Sequence, residues 1–249
     1  MRILVSNDDG ILAPGIGILA GACREVGTVT VVAPDREQSG TSHSLTLHRP
    51  LRPARTHDGA FQVDGTPTDC VLLAVGALMP ERPDFVFAGI NHGANMGEDV
   101  LYSGTVSVAM EAVTLGIPGI AFSFASRDPD LMASYHDTLV RLIRRITAMP
   151  DFPAETLLNI NLPKRHASEV KGVKVTKLGS RFFSSSITRM SDPWGREVFW
   201  IGGGEVTWTG EPDTDHAAVK DGYISVTPLH MDLTNYRLME AVGSWSLEL

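Results

Sequence analysis

The first apolar run of the chain, MRILVSNDDG, ends in an amide, two adjacent carboxylates and a glycine. Neighbouring carboxylates repel, and burying even one without a partner is costly. Asp8 and Asp9 therefore call for a positive charge between them. Side chains of adjacent strand residues point to opposite faces, so the pair converges only if the chain turns, which Gly10 permits. A lone Asp here reads equally well as the cap of the next helix; two in succession do not.

Two later stretches add oxygen donors. The loop PDREQSGTSHSLTL carries Ser39-Gly40-Thr41-Ser42, whose hydroxyls and backbone N–H groups suit a cation or an anion. In AGINHGANMGEDVLYSGTVSVAMEA, Asn91 directly follows an apolar run, and Ser103-Gly104-Thr105 opens a helical pattern whose first N–H groups and dipole favour an anion. No Walker lysine is present, so this is no ATPase phosphate loop. Asp8, Asp9, Ser39 and Asn91 form a set of hard oxygen donors, which suits one Mg²⁺ or Mn²⁺, whereas a zinc cage would need Cys or His pairs that are missing nearby. His230, in TPLHMDLT, is a candidate to protonate a leaving group or bind a phosphate. His92 is the weaker candidate.

The elements that must position these residues alternate. Residues 2–6 and 28–33 are β-type runs flanking a helical pattern in which Ile16, Leu19, Ala20 and Cys23 share one face. Helices follow at 68–78, 105–115 and, capped by Asp128 with Pro129 next, from there to about 149; strands follow at 85–88, 119–123 and 156–161. This predicts a doubly wound, mostly parallel α/β sheet (Rossmann-like), with ligands beyond the carboxyl ends of its strands. Residues 1–165 form this core. Residues 166–249 read as a β-rich appendage with a long hairpin, β-like at 173–178 and 197–201 and followed by GGGE, and a C-terminal helix in which Leu238, Ala241, Val242 and Trp245 line one face of the segment 236–247. Both parts are expected to contribute to one globular unit.

With 21 basic and 29 acidic residues the net charge is −8, which disfavours a nucleic-acid polymer as partner. The two cysteines, Cys23 and Cys70, give neither a disulfide framework nor a zinc motif, and they fit a reducing compartment. No signal peptide and no membrane span is legible, so the expected location is the cytoplasm.

Together these stretches resemble the SurE (survival protein E) nucleotidases. The likeness lies in SNDDGILAPGI, VVAPDREQSGTSHSLTL, GTPTDCV, GINHGANMGEDVLYSGTVSVAMEA and DGYISVTPLHMDLT, in the family's order and over nearly the whole chain. It implies a metal-dependent phosphoric monoester hydrolase acting on nucleoside 5'- and 3'-monophosphates and on short polyphosphate. The family's ligands map onto Asp8, Asp9, Ser39 and Asn91, its active-site Asn onto Asn95, and its phosphate-binding helix start onto Ser103, Gly104 and Thr105. The resemblance further implies a homodimer or homotetramer exchanging C-terminal elements, and variation at His92, Glu98 and residues 181–198. Three alternatives stand beside it: a phosphatase without base preference, a non-catalytic nucleotide sensor, and an aspartyl-phosphate route, whose usual pattern is Asp-x-Asp rather than Asp-Asp.

Overall fold

The computed structural model describes residues 1–150, 152–153, 155–184, 187–201 and 205–245, with the side chains of 182–184 and 205–206 set aside. β1 (Arg2–Ser6) sends Ile3 and Val5 into one apolar core and Leu4 into the other. Burial on both faces explains why it reads as a continuous apolar run. α1 (Pro14–Arg24) opens with Pro14 and packs Ile16, Leu19, Ala20 and Cys23 against the first of these cores. The chain continues through β2 (Thr28–Pro34), β3 (Pro53–Arg55), β4 (Phe61–Val63), α2 (Pro67–Leu73), β5 (Phe85–His92), α3 (Gly104–Thr114) and β6 (Gly119–Phe124). α4 (Pro129–Ala133), α5 (His136–Thr147) and β7 (Thr156–Leu162) complete the core. Beyond residue 165 come β8 (Val173–Val175), β9 (Ser180–Ser184), β10 (Ile187–Ser191), β11 (Glu197–Ile201), β12 (Glu205–Thr209), α6 (Asp215–Lys220), β13 (Ile224–His230) and α7 (Tyr236–Gly243).

Among the described residues the main sheet has nine strands in the order β3-β4-β2-β1-β5-β6-β7-β13-β8. Neighbours from β4 to β7 are parallel, while β3 and β13 run antiparallel to β4 and β7 at either flank. α1, α4 and α5 cover one face, α2 and α3 the other. This is the expected doubly wound α/β architecture. From β1 the chain winds outward through β2, and from β5 it winds the opposite way through β6 and β7. The loops after β1 and β5 therefore part, leaving a crevice at the carboxyl ends of the strands.

Several elements differ from expectation. The helix predicted from Asp128 to Met149 is two, because Tyr135 turns fully into the core between them, with its ring 5.6 Å from that of Phe124 and its hydroxyl donating to the Pro163 carbonyl at 2.8 Å. α2 begins one residue early, since Thr66 and Asp69 form a reciprocal capping box, and it passes into a π-helical turn at Ala74–Leu78. β5 runs on to His92 through a register shift between Ala88 and Asn91. Such a bulge re-aims the side chains beyond it. β8 is shorter than predicted, ending at Val175.

The appendage forms two antiparallel pairs, β9 with β12 and β10 with β11. The stretch GGGE lies at residues 202–205, the first three of which fall outside the described residues; the helix expected over 236–247 ends at Gly243, and 246 and 247 fall outside the described residues. Cys23 and Cys70 are buried free thiols. Among the described residues no helix is long and apolar enough to cross a membrane.

Candidate active site

The crevice holds a cavity of about 340 Å³ whose lining includes Asp8, Asp9, Ser39, Asn91, Asn95 and Ser103. β1 delivers the first two. Gly10, at φ +96°, turns the chain behind them, and Asn7 fastens that turn by donating from Nδ2 to the Gly10 carbonyl at 2.9 Å. Asp8 is only 4% exposed, and its nearest support comes from α3: the Thr105 hydroxyl donates to its Oδ1. A Cβ on Gly104 would stand 2.7 Å from the Asp8 Cβ and 2.9 Å from its Oδ2, so only a glycine lets the helix start so close to this carboxylate. Burial pushes the Asp8 carboxyl up to about 6, the Thr105 hydroxyl working against the rise and the charge of Asp9 adding to it. Asp9 is also raised, chiefly by burial, with the His92 N–H donating to its Oδ2 at 3.0 Å in opposition.

The helix start thus serves a purpose the residue pattern does not reveal. The anion at the head of α3 is first of all Asp8. Thr105 is fully buried beneath it, and Ser103 accepts from the Val106 N–H at 3.1 Å as the helix cap. Of the three residues expected to hold phosphate, Ser103 lines the cavity while Gly104 and Thr105 pack against Asp8.

Asn91 turns its amide away by donating from Nδ2 to the Gly93 carbonyl at 2.9 Å, and its Oδ1 lies 3.4 Å from the Thr105 hydroxyl that serves Asp8. Ser39 donates to Glu37 Oε1 at 2.7 Å, which leaves its lone pairs available to a cation. Among the described residues no group of three His, Cys, Asp and Glu could hold a metal, so a metal here would need the amide and hydroxyl oxygens beside the two carboxylates. The donor set fits a hard divalent ion: it is oxygen-only, it runs from the buried Asp8 to the exposed Ser39, and no Lys or Arg lies within ion-pair distance of either Asp among the described residues.

Ser42 is not in the lining. Its hydroxyl donates to the Leu101 carbonyl at 2.5 Å, and together with the 2.7 Å contact between His43 and Glu111 of α3 it braces the serine loop against α3 and the chain leading into it. His230 does not join the site either. Because β13 runs antiparallel to β7, His230 pairs with Thr156 at the amino-terminal end of the parallel strands, opposite the crevice. His92 does line the cavity, with a buried Nε2 that has no hydrogen-bond partner among the described residues.

The family model described as Survival protein SurE matches residues 3–185. The chain belongs to the SurE family. A relative from Gemmatimonas aurantiaca, named 5'-nucleotidase SurE, is 59% identical over 248 residues, covering 98% of each chain. The 5'-nucleotidase SurE of Methylococcus capsulatus is 47% identical over 245 residues, 98% of this chain and 97% of that one. The crystal structure of SurE protein from Aquifex aeolicus superposes with a TM-score of 0.84 at 41% identity, over 97% of this chain and 98% of that one.

Several residues of this SurE site carry no motif of their own. Asn95 is held from behind by β7: its N–H donates to Asn161 Oδ1 at 2.9 Å, and its carbonyl accepts from Asn159 at 2.8 Å and Asn161 at 3.0 Å. Its side-chain amide donates to Ser123 on β6 at 2.8 Å. The signal for this pair is the run TLLNINL, where two amides two residues apart share one face of an otherwise apolar buried strand. Asp215, fully buried at the head of α6, accepts from the Gly97 and Gly179 N–H groups at 2.9 and 2.8 Å and so ties the site loop to the appendage. Arg127, Glu37 and Asp99 complete the charged rim of the cavity.

Proposed function

We propose that this chain is a metal-dependent phosphomonoesterase that hydrolyses nucleoside 5'- and 3'-monophosphates, and short-chain polyphosphate, to release phosphate. The observation that carries the reading is the Asp8–Asp9 pair at the mouth of the crevice: Asp8 is buried and gripped by the start of α3, Asp9 is partly buried beside it, and neither has an ion-pair partner among the described residues. The relatives named 5'-nucleotidase SurE support the nucleotide as substrate.

In this reading Asp8, Asp9, Ser39 and Asn91 hold one Mg²⁺ or Mn²⁺, which when bound supplies Lewis-acid polarisation of the phosphoryl group and activation of water. The chain's own residues do the rest. Ser103 and Asn95 face the phosphoryl oxygens, and the clamp from Asn161 keeps Asn95 preorganised for the charge that develops in the transition state. The Asp8–Asp9 pair accepts the proton of the attacking water. As the bond from phosphorus to the ribose oxygen breaks, His92 rather than His230 supplies a proton to the leaving oxygen, since only His92 lines the cavity.

Homo-oligomers through the C-terminal elements are part of the same proposal. α7 exposes Tyr236, Leu238 and Met239, and β10 and β11 expose Ile187, Met190, Phe199, Trp200 and Ile201. So much clustered apolar surface marks an interface.

The test is phosphate release from nucleoside 5'- and 3'-monophosphates, p-nitrophenyl phosphate and tripolyphosphate, with Mn²⁺, Mg²⁺ or chelator, for the wild type and Asp9→Asn. Metal-dependent release that favours nucleotides and is lost in the variant supports the reading. Nucleotide binding without release from any substrate overturns it in favour of a sensor.

A further inference from the structure

Beside the metal site, and sharing Ala94 and Arg127 with it, lies a second cavity of about 500 Å³. Arg127, Lys164, Arg165 and Lys220 line it, and no Asp or Glu does. That is unusual in a chain with 29 acidic residues against 21 basic ones. None of the four has an ion pair among the described residues, and together they are gathered into one cavity. Within the Arg165 guanidinium, Nε is buried without a hydrogen-bond acceptor among the described residues. A buried donor left unpaired is costly, and a ligand oxygen would relieve it.

The same cavity offers an aromatic wall. Trp208 and His216 stack with ring centroids 4.2 Å apart and planes 5° from parallel. Burial, then the charge of Lys220, holds the His216 pKa below its ordinary value, so the imidazole presents an uncharged ring near neutral pH. Four unpaired cations ask for an anion; the stacked pair, with one face of each ring spent on the other and the Arg181 guanidinium 5.5 Å from the Trp208 ring, still offers an outer ring face to a flat, ring-bearing group. A nucleoside monophosphate with its only phosphate at Asp8 and Asp9 would leave the cations unmatched. A linear polyphosphate would leave the rings unused. A nucleotide carrying two phosphate esters uses both, and Arg127, placed in both linings and acting on Asp9 through its charge, stands where the two halves of such a ligand meet.

We propose that this cavity is a subsite for the second phosphate of a nucleoside 3',5'-bisphosphate, held while the other ester is hydrolysed at the Asp8–Asp9 site. The proposal rests on the phosphomonoesterase reading. Water adds to one phosphorus, one bond to a ribose oxygen breaks, and the products are a nucleoside monophosphate and inorganic phosphate. The second phosphate is bound and not cleaved.

The test compares kcat/KM for adenosine 5'-monophosphate, adenosine 3',5'-bisphosphate and tripolyphosphate, at low and raised salt, in the wild type and in the double variant Lys164→Ala, Lys220→Ala. Both lysines are exposed, so the substitutions spare the core. The bisphosphate is expected to exceed the monophosphate by about tenfold at low salt, equivalent to ~1.4 kcal/mol, with the advantage shrinking as salt rises and vanishing in the double variant. Equal values for the two nucleotides, or a variant that lowers both alike, overturns the subsite. A tripolyphosphate gain that is lost in the variant together with that of the bisphosphate overturns the assignment to a nucleotide. Calorimetric binding of the bisphosphate separates the two readings: binding that depends on the lysines without phosphate release from any substrate overturns the hydrolase and leaves the subsite standing, and binding indifferent to them overturns the subsite.

Discussion

Asn161 holds the backbone of Asn95 on both sides, its Oδ1 accepting from the Asn95 N–H at 2.9 Å and its Nδ2 donating to the Asn95 carbonyl at 3.0 Å. Asn159 donates to the same carbonyl at 2.8 Å, but among the described residues the N–H has only Asn161. Asn161→Ala therefore strands a buried donor at a cost of about 1–3 kcal/mol, whereas Asn159→Ala leaves the carbonyl one partner and costs less. Thermal melts should show a drop of about 2–4 °C per kcal/mol for a chain of this size, larger for Asn161→Ala. Phosphate release should fall in the same order. Equal melting temperatures for the two variants would contradict the clamp.

The Thr105 hydroxyl is the hydrogen-bond partner of a buried carboxylate proposed to bind metal. Removing such an outer partner commonly lowers metal affinity or activity by about 10–100-fold. Thr105→Val, which keeps the shape, is expected to lower affinity for Mn²⁺ within that range. The readout independent of turnover is the rise in melting temperature when Mn²⁺ is added to chelator-treated protein: large in the wild type, smaller in Thr105→Val, absent in Asp9→Asn. A metal-induced rise in Asp9→Asn as large as in the wild type would remove the carboxylate pair from the ligand set.

His92 and His230 separate by position. His92→Gln is expected to lower kcat by about 100-fold or more, the scale of a lost general acid. His230→Gln should leave kcat unchanged, because that residue sits at the far end of the sheet. The reverse result would overturn the assignment of the proton donor to His92.

Burial pushes the Cys23 thiol up to about 12 and the Cys70 thiol well above its ordinary value. Both stay protonated in the folded protein at pH 8, so a thiol reagent such as DTNB should modify neither until denaturant is added. The linkage has a definite sign. Thiols in the unfolded chain lose their protons near their ordinary value of 9, those in the fold only near 12 for Cys23, so the stability they contribute is complete below pH 9 and is lost as pH rises towards 12. Urea midpoints measured from pH 8 to 11 should fall less steeply in Cys23→Ala.

The amino-acid sequence by itself determined whatever depends on neighbours along the chain. The alternation of buried strands and amphipathic helices set the α/β winding, and the polar clusters at Asp8–Asp9, Asn91 and Ser103 stand out because each interrupts an apolar run at a strand end or helix start. β3 was not legible, since its three residues are all exposed and carry no apolar alternation. Tertiary structure alone decided the relations between distant segments. Nothing local in TPLHMDLT states that β13 runs antiparallel, and that direction is what carries His230 away from the crevice. Only the winding of β5 to β7 brings Asn161 behind Asn95, and only the docking of α6 puts Asp215 between Gly97 and Gly179. Thr105 shows the same division within one residue: its helix-start position can be read from its neighbours, but the switch of strand order between β1 and β5 sets Asp8 within reach of its hydroxyl, turning an expected phosphate ligand into the support of a carboxylate.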